Sequence, residues 1–140
     1  MEFKDKIAKK MAYLKKMSHR LKEYQKYSKR TIISDHTLEA AIERVFHLAL
    51  ESVMDIGEII IAERGLEKPE SNQDIILILG GNKIIPGEFS RKFAPAMKFR
   101  NILVHHYTEI DINKLYEHLQ TDIEDFDTFA RHIARYVKKK

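Results

Sequence analysis

The segment FRNILVHHY, Phe99 to Tyr107, places together side chains able to do chemistry on a phosphate. Arg100 is followed by four residues, then His105, one further residue and Tyr107, an R-x4-H-x-Y spacing. A histidine titrates near neutral pH and can take or give a proton. A guanidinium keeps its charge, clamps phosphate oxygens with a fork of N–H donors and stabilises charge that builds on them. The pair suits metal-free cleavage of RNA, in which the 2′-OH attacks the adjacent phosphorus. DNA lacks that nucleophile. Five residues along a helix turn through about 140°, so the two side chains do not superimpose on one face. They converge where the helix end meets a cleft or a second subunit. A competing reading is purely structural: Arg100 pairs with a core carboxylate such as Asp55, and His105 is a satisfied interior histidine.

Other kinds of site find little support. No H-E-x-x-H, P-loop or G-x-G-x-x-G occurs, and GGNKIIPG lacks the spacing of a phosphate loop. No Glu is followed by His three residues later, so the paired Glu-x-x-His of a di-iron bundle is excluded. Glu43 and His47 stand at i, i+4, a spacing that a surface hydrogen bond explains as well as a metal. The chain has no cysteine, which removes disulfides and thiolate metal sites and fits a reducing, cytoplasmic compartment. No apolar run approaches a membrane span, and the charged start MEFKDKIAKKM does not read as a secretory signal.

The elements that must position Arg100 and His105 are helical throughout. A stripe of Phe3, Ile7, Met11, Leu14, Met17, Leu21 and Tyr24 predicts a first amphipathic helix. Ser28 to Asp35 breaks the pattern, with Ser34 or Asp35 able to cap the next helix. That second helix carries Leu38, Ile42, Val45, Ala49, Ser52, Val53, Ile56 and Ile60, with Gly65 as its stop and Gly57 as a point of close packing. Pro69 marks a loop. Ser71 with Asp74 then starts a brief helix over Ile75 to Leu79, stopped by Gly80-Gly81. Pro86 opens a fourth helix running to about Tyr107, which Pro95 must kink or restart. Asp111 caps the last helix, with Ile112, Leu115, Leu119, Ile123, Phe126, Ala130, Ile133 and Val137 as its stripe. Residues 1–140 thus read as one all-α bundle of about five helices.

Charge is distributed unevenly. The net charge is +4, but residues 1–30 hold 11 Lys and Arg against Glu2, Asp5 and Glu23, a surplus of +8 that leaves −4 for the rest. Lys9, Lys10, Lys15, Lys16 and Lys22 are therefore candidate contacts to an RNA backbone, since ammonium groups that neutralise phosphates release condensed counterions. The alternative is a solvated lysine face.

FRNILVHHY, with Asn101 directly after the arginine, resembles the signature of the HepT-type ribonuclease toxins of the HEPN superfamily. The likeness covers the whole chain: a basic first helix, a second helix ending in a DIG-like turn (Asp55-Ile56-Gly57), a short third, the motif-bearing fourth and a long fifth. It implies a homodimer with both Arg100/His105 pairs in a composite cleft, and an RNA substrate. Asn101 would orient its neighbours and Asp55 would position Arg100. It further implies a small nucleotidyltransferase antitoxin that uses ATP to place AMP on Tyr107, whereas cleavage itself needs no cofactor and no metal. The alternative within the superfamily is a non-catalytic adaptor that binds a nucleotidyltransferase or a nucleotide in the same cleft.

Overall fold

A computed structural model describes residues 2–105 and 110–140, with the side chain of His105 outside the description. All regular structure among these residues is helical: α1 (Phe3–Tyr24), α2 (Lys29–Ser34), α3 (His36–Arg64), α4 (Asn72–Gly81), α5 (Gly87–Phe93), a 3-10 turn (Ala94–Met97), α6 (Lys98–His105) and α7 (Ile112–Lys139). The expected all-α bundle is therefore observed, and α1, α3 and α7 are its long members.

Capping chemistry sets the boundaries. Asp35, not Ser34, caps α3 by accepting from the Leu38 N–H, and Ser71 caps α4 by accepting from Asp74. Asp111 caps α7 by accepting from Asn113. The expected break over Ser28 to Asp35 is instead the short helix α2, because the Ser28 hydroxyl accepts from the Thr31 N–H and starts a turn. Asp55-Ile56-Gly57 forms no turn. α3 passes straight through it and stops at Gly65, which adopts the left-handed conformation with φ 62°. Gly57 is required by packing: a Cβ there would overlap Cγ2 of Ile75 on α4. α4 ends at Gly81, with Gly80 and Gly81 as its last two residues, as expected. Gly80 leaves room for the Ser90 side chain of α5.

The expected fourth helix is two helices. Pro95 has no N–H to continue α5, and the chain passes through the 3-10 turn before α6 begins. This restart orients the motif helix independently of α5. One residue anchors it: Phe99 is buried, edge-on to Phe46 of α3 at 5.2 Å between ring centroids, and stacked on His118 of α7 at 4.1 Å. The His118 ring is held in turn by Asp122, whose carboxylate lies 2.7 Å from Nδ1. Phe46, Phe93, Phe126 and Phe129 continue this aromatic contact chain through the core. Aromatic pairs of this kind add about 0.5–1.5 kcal/mol each beyond burial.

Candidate active site

α6 is amphipathic, not buried all round. Phe99 and Leu103 face the core, while Asn101, Ile102 and Val104 are exposed. Arg100, next to the anchored Phe99, lies half-buried against α3. Its Nε donates to Oε1 of Glu51 at 2.5 Å, and its Nη1 donates to Oδ1 of Asn101 at 3.3 Å. Nε and Nη1 are thus tied to the protein, and Nη2 is the guanidinium nitrogen left without a bond among the described residues. A charge-assisted bond of this type is roughly twice as strong as a neutral one.

Glu51 is the residue that sequence reasoning missed. Asp55, the partner expected for Arg100, sits one helical turn further along α3 and pairs with Lys10 of α1 at 2.9 Å. Two carboxylates one turn apart on the same helix offer the same chemistry to an arginine. Which of them faces α6 depends on how far α3 is rotated against α1, and no motif encodes that rotation. Glu51 also meets a histidine: Nε2 of His47 lies 3.2 Å from the same Oε1. Burial pushes the Glu51 carboxyl up, but the Arg100 guanidinium and then His47 outweigh it and hold the group below the usual carboxylate range. Glu51 is therefore ionised at neutral pH. His47, by spacing a candidate metal partner of Glu43, is instead bonded to Glu51 and to Nη1 of Arg44, whose distance to Nδ1 is 3.3 Å.

The side chain of His105, together with His106 and Tyr107, lies outside the described residues. Asn101 is brought to Arg100, and its Oδ1 also accepts from Nδ2 of Asn72 at 3.4 Å, linking α6 to the start of α4.

The five lysines of α1 do not form one surface. Lys10 turns toward α3 and its ion pair with Asp55, and Lys22 toward α7, where it pairs with Asp127 at 2.5 Å. Lys9, Lys15 and Lys16 are exposed and make no ion pair among the described residues. Lys15 and Lys22 flank an α1–α7 groove of about 380 Å³ that Arg131 also lines.

Fold and site define a small HEPN-type helical bundle with a motif arginine held at the start of a restarted helix. Comparison with known proteins makes this specific. Residues 14–133 match the family described as Ribonuclease HepT-like. The chain is 26% identical over 117 residues to the tRNA nuclease HepT of Aphanizomenon flos-aquae, covering 84% of this chain and 80% of that protein. It is 28% identical over 95 residues to the mRNA nuclease HepT of Shewanella oneidensis, covering 68% and 71% respectively. A solved structure of the tri-AMPylated HEPN toxin of Shewanella oneidensis in complex with MNT antitoxin superposes with a TM-score of 0.83 at 26% identity, covering 96% of this chain and 99% of that one. This chain belongs to the Ribonuclease HepT-like family, and its enzyme class is ribonuclease.

Proposed function

We propose that this protein is a metal-independent endoribonuclease, the toxin of a type VII-like toxin–antitoxin pair, acting in the cytoplasm as a homodimer. The observation that carries the reading is the tethering of Arg100 by Glu51 and Asn101, which fixes the guanidinium at the start of the motif helix, with Nη2 unbonded among the described residues. In this reading His105 takes the proton of the 2′-OH, and the 2′-oxygen attacks phosphorus. The 5′-oxygen then leaves with the proton returned by the His105 imidazolium, which yields a 2′,3′-cyclic phosphate and a 5′-OH end. Arg100 orients the scissile phosphate and stabilises the charge that develops on its oxygens. Glu51, rather than Asp55, takes the positioning role. Exposed Ile102 on α6 supplies an apolar contact for a second copy, which would set the two sites beside each other.

Control acts on the same site. A cognate nucleotidyltransferase would use ATP: the Tyr107 phenol oxygen attacks the α-phosphorus, a P–O bond forms, and pyrophosphate leaves. The added AMP brings a phosphate within the motif, where it competes with RNA for Arg100. The AMPylated state and MNT partner of the Shewanella oneidensis toxin support this reading. The test is co-expression with the nucleotidyltransferase. The wild type should gain AMP-sized mass increments on the Tyr107 peptide and lose cleavage, whereas Tyr107→Phe should keep cleaving. A neutralised complex with unmodified Tyr107 would instead show that the partner acts by covering the cleft.

A further inference from the structure

We propose that α3 supplies a second phosphate subsite, built on Arg44, for the nucleotide next to the scissile one; the inference rests on the ribonuclease reading of Arg100. Arg44, His47 and Glu51 fall at i, i+3 and i+7 and share one face of α3. Contact by contact they form a chain: Arg44 to His47 at 3.3 Å, His47 to Glu51 at 3.2 Å, and Glu51 to Arg100 at 2.5 Å.

The donors in this chain fix its polarity. A guanidinium only donates, so Nδ1 of His47 accepts from Arg44, and Nε2 carries the proton given to Glu51. The one carboxylate in the chain is matched by Arg100. Arg44 meets the imidazole and no carboxylate within this chain of contacts, so its positive charge is open to an anion.

Its surroundings suit a nucleotide. Arg44 is exposed and lines a groove of about 340 Å³ between α3 and α6, with Ala40, Glu43, His47, Leu103 and Val104 as the other walls. Leu103 and Val104 belong to the motif, immediately before His105, so the groove leads directly to the reacting end of α6. Arg44 and Glu51 are separated by about 10 Å along α3, a span that an extended strand covers in a nucleotide step or two. An RNA strand offers the matching pattern of a phosphate for Arg44 and a base face for the apolar wall. Glu43 on the same wall works against indiscriminate anion binding and favours a ligand that also uses the apolar side.

The subsite predicts a dependence on substrate length. A dinucleoside monophosphate has only the scissile phosphate, whereas a hexanucleotide with the same central step presents neighbours. Arg44→Ala should lower kcat/KM on the hexanucleotide about tenfold, through KM, as expected for loss of one charge-assisted hydrogen bond. It should leave the dinucleoside monophosphate unaffected, and Arg44→Lys should recover part of the loss. Fluorescence anisotropy with a 2′-O-methyl hexanucleotide, which cannot be cleaved, should show the same tenfold weakening. Equal losses on both substrates would mean that Arg44 acts only by buttressing His47, Glu51 and Arg100, and would overturn the subsite. Unchanged cleavage and binding would overturn it too. Wild-type protein that cleaves neither RNA would count against the ribonuclease reading alone, because the anisotropy arm still decides on Arg44.

Discussion

Arg100 and the lysines of α1 carry the same sign of charge, but they are held very differently. Arg100 is half-buried, tied through Nε to Glu51 and through Nη1 to Asn101, on a helix pinned by Phe99. The lysines point in several directions. Two are neutralised within the chain by Asp55 and Asp127, and Lys9, Lys15 and Lys16 stand in solvent. A fixed charge can be aimed at one developing negative charge and needs no reorganisation when the reaction occurs. Loose exposed charges act through the ion atmosphere and are screened by salt. The first arrangement suits a rate and the second suits an affinity.

The strongest way to break this contrast is to remove the fixed charge. Arg100→Ala should reduce the cleavage rate by about 10²–10⁴-fold, with the thermal unfolding midpoint lowered no further than in Glu51→Gln. If activity survives at near wild-type rate, the tethered guanidinium is structural only. Glu51→Gln sharpens the same point. It keeps the shape of the side chain but removes the charge that aims Arg100, so kcat should fall by about tenfold while RNA binding holds. Asp55→Asn should leave kcat alone. A larger loss from Asp55→Asn than from Glu51→Gln would make Asp55 the positioning residue after all.

The smaller effects lie on the other side of the comparison. Reversing Lys9, Lys15 and Lys16 to Glu should weaken RNA binding and flatten its salt dependence, by about 0.7 in log–log slope for each single-strand phosphate no longer neutralised. The cleavage rate at saturating RNA should stay within a few-fold. If neither affinity nor slope moves, these residues are a solvated face. A final effect comes from pH. Because the Glu51 carboxyl is held below its usual range in the fold, its ion pair adds stability above the ordinary carboxylate pKa. That stability is lost as pH falls through the lowered value. Denaturation of wild type and Glu51→Gln should therefore differ at neutral pH and converge in acid.

Most of the fold was legible in the sequence because local chemistry sets it. Ser71 and Asp111 cap as their positions suggested, Gly65 ends α3, and Pro95 divides the fourth segment. The misreadings share a cause. α2 was hidden because a six-residue helix leaves too few apolar positions to show a period, although Ser28 three residues before Thr31 was a usable capping signal. Gly80-Gly81 does end α4, but the sequence did not show that packing against Ser90 also requires the small residue at Gly80. At the site, Arg100 and Asn101 were recognisable from the motif. Glu51 was not, since the choice between it and Asp55 is made by helix rotation in the assembled bundle.

The central claim is that Arg100 and His105 cleave RNA by themselves, with the 2′-OH as nucleophile. Incubating the purified protein with RNA in EDTA, and analysing the new ends by mass spectrometry, tests it most directly. Wild type should release fragments ending in 2′,3′-cyclic phosphate, His105→Ala and Arg100→Ala should release them at least about a hundredfold more slowly, and an RNA with a 2′-deoxy residue at the cut site should stay intact. Cleavage that requires an added divalent ion, or that leaves a 3′-OH and a 5′-phosphate, would contradict it.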